Sequence, residues 1–539
     1  MSSSIAALLL VLVLGYTALL LGIARRGRQP ERSTEFLDGG RRFSGRQVFM
    51  LVSALWCSSI FVVEMGTGYL YGVSAVWFGF ATALMALVSG SLVPTFRRLG
   101  YLTSSGVIGA RFGRRARVIS GLVIGLTFPI FAMSNVLGAA GFLDRVVGWP
   151  LPVTLLVAEA MILGYVCVGG MRALARAQVI NLVVMTVGLL VALGWAAYAV
   201  SFAQIRAALP ARLLTPGGAG AGLILTWIFA SLLNVVNAQA EFQILTAARD
   251  VRAARRGLHA AVAFTAFFTV AAVGVGIAAR AVAVPHQLAV IAIPALFGPA
   301  PLLVLAVVCV AIWASALSWS APLMLSGAAS LGVDVLRPLV EQARGWRSRP
   351  VSHYVRLALP VQALLVVAFA LLRPADLAWW RIFGQTVRTG ALFATTLAVL
   401  ALPTVGRRTA VASMVTGTVG GLGWNVLTGF SVDRFALGVN PMWVGATVGL
   451  LVLAGGSLLA SPQWHRTLLQ RPSVALLVVA VSVGALLIQF GRAARAAGLT
   501  GPAMLVGAGA MFAIAWVADR SSGSLSVAAA PAVESVAIR

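Results

Sequence analysis

Not one lysine occurs in this chain of 539 residues, so all 40 basic side chains are arginine, set against only 14 acidic residues, four histidines and three cysteines. Without an amine side chain, P-loop phosphate cradles and lysine Schiff bases are excluded. Cys57, Cys167 and Cys309 stand singly inside apolar runs with no C-x-x-C pair, which excludes a disulfide framework and a zinc site. His259, His286, His353 and His465 fall in loops or at the ends of apolar runs, with no HExxH and no pair of Asp within a run, so a membrane enzyme is the least supported class. Charged residues make up 10% of the chain, where soluble proteins carry roughly 25%. That scarcity and a mean hydropathy of +0.96 exclude an ordinary soluble protein.

What is present is a succession of long apolar runs: 5–24, 47–68, 73–96, 118–142, 151–171, 177–200, 220–244, 258–282, 300–332, 354–372, 382–402, 409–428, 441–460, 475–491 and 499–517. Each is long enough to cross about 30 Å of hydrocarbon as a helix at 1.5 Å per residue. A transmembrane barrel needs alternating segments of about ten residues instead, and none are visible. The expected fold is an all-α polytopic membrane protein of about 15 transmembrane helices. The first run has no basic residue before it and Arg25, Arg26 and Arg28 directly after it, so it reads as a retained helix rather than a cleaved signal peptide.

The arginines look at first like a nucleic-acid surface. Their placement removes that reading: alternate loops beginning with 25–46, together with the C-terminal tail, hold 30, the intervening loops hold 9, and Arg388 lies inside a run. That asymmetry places the arginine-rich loops in the cytoplasm of a cell-membrane protein, with the N-terminus outside and the C-terminus inside. The partners implied are anionic lipid heads and a small solute, and no nucleic acid. The cytoplasmic segments 25–46, 97–117 and 333–353 are too short for a soluble domain, and 520–539 reads as a disordered tail.

Polar residues inside an apolar span are read as functional by default. Three clusters stand out. Span 2 holds Ser53, Trp56, Cys57, Ser58 and Ser59, then Glu64, Gly66, Thr67, Gly68 and Gly72. Span 7 holds Ser231, Asn234, Asn237, Gln239, Glu241 and Gln243, and span 9 holds Ser315, Ser318 and Ser320 between Trp313 and Pro322. A single serine here more often bonds back to its own helix; three in one helix beside a proline point to a site. Spans 2 and 7 each open a run of five, and interrupted polar segments at matching places suggest an inverted-repeat transporter with a midplane site, whose freed carbonyls and hydroxyls suit a hard cation. Glu159 is a lone acid, as readily structural as a proton relay. Glu64 lies in the outer half of span 2, and Arg388 lies roughly 9 Å below the outer surface. A closed ion pair between them is expected to act as an outer gate.

These residues resemble the sodium:solute symporter family from about Phe36 to about Ala460. Phe36-Leu-Asp-Gly-Gly-Arg41 resembles its approach to span 2, and Phe61 with Gly66-x-Gly68-Tyr69-x-x-Gly72 is similar to the span 2 signature. Gly169-Gly170-Met171-Arg172-Ala173 resembles the turn after span 5, and Ser326 to Pro338 the end of the ion-binding helix. The segment running from Gln239 through Gln243, Ala247-Ala248-Arg249-Asp250 to Arg255-Arg256-Gly257 is the most specific likeness. The resemblance implies a LeuT-type five-plus-five inverted repeat, with an N-terminal addition at 1–46, repeats at 47–203 and 204–403, and extra helices at 404–519.

It further implies sodium as coupling ion and no other cofactor. The ion would be held by the carbonyls of Ser53 and Trp56 and by Ser315, Ser318 and the next residue. That next residue is Trp319, which supplies no hydroxyl. The family's acid after the GGlrAV turn aligns with Ala177 and Gln178, and its QR arginine with Ile244. Two readings follow: cation-coupled symport of a small polar solute contacted by Ser58, Ser59, Asn234, Asn237 and Gln239, or a transporter-like sensor or facilitator without coupling.

Overall fold

The computed structural model describes residues 3–26, 40–101, 103–283, 289–344, 349–372, 377–431, 434–460 and 468–521. Phe36 to Gly39 of the first motif and residues 522–539 of the expected tail lie outside them. Among the described residues the chain is helical almost throughout, as hydrocarbon requires when every backbone N–H and C=O must be paired within its own segment. By length and composition 11 helices qualify as membrane spans, 12 with one bent pair. The expected 15 are not separately resolved because some runs are continuous: Gly45–Leu99 qualifies as one stretch of 55 residues.

Contacts divide the chain into two units, 1–104 with 124–384 and 105–123 with 385–539. The first is built on α1 (Ser3–Arg26), α2 (Gly45–Tyr71), α3 (Val76–Leu99), most of α5 (Arg114–Val147), which follows α4 (Ser104–Phe112), and α6 (Leu151–Ala199). Then come α7 (Ala221–Asn234), α8 (Gln239–Thr246), α9 (Val251–Val282), α10 (Leu302–Ala329), α11 (Val351–Leu372) and the start of α12 (Leu377–Arg388). α6 has 49 residues, within which Leu174–Ala199 qualifies as a span and Leu151–Cys167 is a shorter apolar stretch.

α2 begins with a capping box: the Ser44 hydroxyl accepts from the Gln47 amide, and Gln47 Oε1 accepts from the Ser44 amide at 2.8 Å. It runs unbroken to Tyr71, so the interruption expected in span 2 is absent. Its glycines serve packing instead. A Cβ on Gly68 would stand 2.7 Å from the Val273 carbonyl, and one on Gly276 would stand 2.1 Å from the Met65 carbonyl. Only hydrogen at both positions lets α2 and α9 approach this closely. The break comes later, at Gly72, where φ is +60° and a Cβ would meet the Leu213 carbonyl at 2.0 Å.

Prolines expose acceptors elsewhere. Pro129 has no N–H for the Gly125 carbonyl, and Gln362 Nε2 donates to it at 2.8 Å. Pro322 likewise frees the Ser318 carbonyl. α1 is docked by two polar contacts, Tyr16 Oη to Asn181 Oδ1 at 2.6 Å and Trp313 Nε1 to Thr17 Oγ1 at 2.8 Å.

The second unit holds α13 (Ala394–Ala401), α14 (Arg407–Leu427), α15 (Pro441–Ala460), α16 (Arg471–Gln489) and α17 (Thr500–Ser521). Gly390, in a π-helical turn before α13, packs backbone to backbone on Gly417, a Cβ there falling 2.5 Å from its carbonyl. Arg111 Nη1 donates at 2.8 Å to the Ala398 carbonyl near the C-terminus of α13, where unpaired carbonyls accumulate.

Candidate functional site

Span 7 is broken as its polar content suggests. α7 ends at Asn234, Val235–Asn237 tighten into a 3₁₀ turn, and α8 departs at 50°. Of the three polar residues that open α8, Gln239 and Gln243 both reach Ser326 and Glu241 turns to Trp56. Gln239 Oε1 accepts from the Ser104 amide at 2.9 Å, while its Nε2 donates to the Ser326 carbonyl at 2.9 Å and to Ser330 Oγ at 3.1 Å. Gln243 Oε1 accepts from the Ser326 hydroxyl at 2.6 Å. Glu241 accepts from the Trp56 indole at 2.9 Å. Gln239, expected to touch solute, is therefore taken up in a latch between α8, α10 and Ser104. Asn234 lies 3.9 Å from the Met85 sulfur, and Asn237 is buried in the 3₁₀ turn.

The same end of the bundle is fastened through main chain. The Phe43 N–H donates to the Ala247 carbonyl at 3.0 Å, the Phe43 carbonyl accepts from the Arg249 N–H at 2.8 Å, and Arg97 Nη1 caps the Thr246 carbonyl at 2.9 Å. Thr103 donates to the buried Asp334 at 2.7 Å.

At mid-bundle, α10 meets α2, α5 and α6. The carbonyl freed by Pro322, that of Ser318, accepts from Gln178 Nε2 at 2.7 Å. The Ser318 hydroxyl donates to Gln178 Oε1 or to the Ala54 carbonyl, the latter at 2.9 Å. Asn135 Nδ2 donates to the Ser58 carbonyl at 2.7 Å and reaches the Ser315 carbonyl at 3.5 Å. Ala54 and Ser58, neighbours of the expected Ser53 and Trp56, are thus α2 carbonyls that take a donor from another helix. Ser58 and Ser315 donate back to Leu55 and Ile312, the bland outcome for a membrane serine. Trp319 donates to the Phe131 carbonyl at 2.8 Å and packs on Trp56 with ring centroids 5.7 Å apart, so it offers no ligand. Ser53 is fully buried with its hydroxyl oxygen unpartnered.

On the other side of Ser59 lies the charge. Neither carboxylate oxygen of Glu64 has a hydrogen-bonding partner, and the Arg388 expected to pair with it belongs to the other unit. The cation whose charge reaches Glu64 is Arg381. The reason is a boundary: α12 begins at Leu377, five residues before the expected start of span 11, and this draws Arg381 out of the outer loop and into the helix. Its Nη1 donates to Ser59 Oγ at 3.1 Å, and its guanidinium lies 4.3 Å from the Phe78 ring centroid. Glu159, 2% exposed, also has both oxygens unpartnered.

Sequence reasoning missed Arg381 and Asn135 as site residues. The signal for Asn135 was available, since it is an amide inside the otherwise apolar run 118–142.

Residues 36–417 match the model of the sodium:solute symporter family. The human sodium/iodide cotransporter is 30% identical over 188 residues, 34% of this chain and 29% of that protein. The sodium-coupled monocarboxylate transporter 2 of Danio rerio is 28% identical over 173 residues, 32% of this chain and 27% of that protein. The chain therefore aligns with less than a third of the length of these curated relatives. Among solved structures, a Na+-coupled sialic acid symporter in a substrate-bound outward-open state superposes with a TM-score of 0.68 at 16% identity, covering 84% of this chain and 97% of that one. This is a likeness of fold.

Proposed function

Because the chain belongs to the sodium:solute symporter family, we propose that this multi-pass membrane protein couples the movement of a small polar solute to sodium by alternating access. The observation that carries the reading is the 50° break between α7 and α8. A broken helix frees backbone groups within the membrane, where they are tolerated only beside a cavity or a bound ion. The break stands next to α2 and α10, which are joined by Ser318 on the Ala54 carbonyl and by Asn135 between the Ser58 and Ser315 carbonyls.

Sodium would be held between α2 and α10. Ser318 and the orphaned Ser53 hydroxyl supply neutral oxygens, with the carbonyls of Ala54, Trp56 and Ser315 beside them; such a set suits a hard monovalent cation. Gln178 must swing off Ser318 for the ion to enter. Ser59, Asn234 and Asn237 remain the solute-facing candidates from the sequence. Residues 47–203 and 204–403 form the two halves that move against each other, with the arginine-rich loops in the cytoplasm. On that orientation the Gln239 latch and the Phe43–Arg249 pairing close the cytoplasmic side.

The test is uptake by proteoliposomes of a labelled panel of amino acids, sugars and monocarboxylates. Accumulation that follows an imposed inward sodium gradient and collapses with a sodium ionophore supports the reading. Accumulation equal with and without sodium overturns coupling and leaves a facilitator.

A further inference from the structure

Two neighbouring helices of the second unit each start with a pair of arginines. Arg114 and Arg115 open α5, and Arg407 and Arg408 open α14. Gly113, with φ at +85°, ends α4 and starts α5 in one step. Its N–H donates to the Gly109 carbonyl at 2.9 Å, and its carbonyl accepts from the Arg117 N–H at 3.1 Å. A Cβ on Gly113 would stand 3.7 Å from both Cδ and Nε of Arg407, so the two helix starts lie side by side.

Between them is a cavity of about 690 Å³, lined by these four arginines and by Val411, Ala412 and Val415. Among the described residues no acid lines it, and every lining residue belongs to the second unit. The positive end of a helix dipole is an unfavourable place for a cation. Each of these first turns nevertheless carries two arginines and no acid, and no side chain caps that of α14. Four guanidiniums gathered there call for an anion, and their forked donors fit a phosphate.

The apolar part of the lining narrows the ligand. α14 is long and apolar enough to cross the membrane, which sets Arg407 and Arg408 at its surface. Arg408, Val411, Ala412, Val415 and Val419 are spaced three or four residues apart and share one face of that helix. Val415 and Val419 are 45% and 61% exposed. From Arg408 to Val419 the face descends about 16 Å at 1.5 Å per residue. A soluble anion would use the arginines alone, whereas a phospholipid uses the whole face.

We infer that Arg114, Arg115, Arg407 and Arg408 bind the phosphate of an anionic glycerophospholipid, whose acyl chains lie along Val411, Val415 and Val419. On the orientation proposed above, the lipid belongs to the cytoplasmic leaflet, where basic pockets between helices take such head groups. None of the residues assigned to sodium or to solute takes part, so the site stands or falls separately from the transport reading.

The experiment is native mass spectrometry of the purified full chain, titrated with phosphatidylglycerol and phosphatidylcholine of identical acyl chains. In the unsubstituted protein one phosphatidylglycerol is expected to bind at least about tenfold more tightly than phosphatidylcholine. Two double variants, Arg114→Gln with Arg115→Gln and Arg407→Gln with Arg408→Gln, are each expected to lose most of that preference. Making them separately keeps the test open if one fails to fold. Arg252→Gln with Arg256→Gln removes two exposed arginines near the start of α9 and should keep the preference. Glycerophosphoglycerol, the same head group without acyl chains, and inorganic phosphate are the soluble competitors. They are expected to displace the lipid only at concentrations orders of magnitude higher, because each buried CH₂ adds to the lipid's affinity. Equal binding of the two lipids, or an unchanged preference in both arginine variants, would overturn the inference. So would an equal loss in the α9 control, which would mean a diffuse charge effect. Displacement by either soluble competitor at concentrations matching the lipid would also overturn it, in favour of a soluble-anion site.

Discussion

Gln178 and Ser318 grip each other at two points. The amide nitrogen of Gln178 donates to the Ser318 carbonyl at 2.7 Å, and its oxygen accepts from the Ser318 hydroxyl. Pro322 creates the opening, since it removes the N–H that would have taken that carbonyl in the helix. A neutral donor therefore rests on an oxygen that a cation would need. Gln178→Asp replaces that donor with a carboxylate, which repels the carbonyl until a cation enters between them. Sodium is expected to bind about tenfold more tightly in the variant, about 1.4 kcal/mol, read from the sodium dependence of its unfolding temperature. A variant with unchanged sodium dependence would show that Gln178 does not face the ion.

The α2–α9 contact leaves no room for a side chain. Gly276→Ala places a methyl group 2.1 Å from the position of the Met65 carbonyl. Overpacking of this kind costs about 1–3 kcal/mol, and a lowered unfolding temperature in detergent is expected. Gly484, whose Cβ would meet nothing within 4 Å, is the control and should accept alanine without loss.

Gln239 ties α8 to Ser104, Ser326 and Ser330. Gln239→Ala strands the buried Ser104 amide, a penalty of about 1–3 kcal/mol, and is expected to favour opening at this end. A cysteine introduced at Ser330, which is fully buried, should then react several-fold faster with a membrane-impermeant maleimide applied from the cytoplasmic side. Unchanged labelling would mean that the latch is not what closes this side.

Asp250 caps α9. Its carboxylate accepts from the Ala253 amide at 2.6 Å, and that bond, with the adjacent Arg249 charge, holds its pKa below the usual aspartate value. Because the folded value is depressed, the capping contribution is complete above the ordinary value of about 3.9 and is lost as pH falls through the lowered folded value. Hydrogen exchange in residues 251–256 is expected to speed up on acidification below about pH 4, beyond the intrinsic change. Asp250→Asn, which can still accept the bond, should lack this acid-dependent component; the same profile in both proteins would contradict the assignment.

The membrane class, the order of the spans and the break in span 7 were all legible in the sequence, because apolar length and polar interruption are local properties. Span 2 was not, since its glycines look the same whether they interrupt a helix or let another helix approach, and only Val273 and Met65 across the interface decide. Glu64 was recognisable as an unusual buried acid, but Arg381 was counted with the outer loop. A shift of five residues in one helix start moves Arg381 from loop to bundle, and boundaries are the least determined feature of an apolar pattern. Gln239 looked solute-facing because an amide in a membrane helix is conspicuous; that its bonds go to Ser104, Ser326 and Ser330 is long-range information.

Sodium binding by the purified protein tests the central claim most directly. Unfolding temperature is followed while sodium chloride replaces choline chloride at constant ionic strength, in the unsubstituted chain and in Ser318→Ala. A saturable, sodium-specific rise is expected in the first and a strongly weakened one in the second. Superimposable curves in sodium and choline for the unsubstituted chain would contradict sodium coupling.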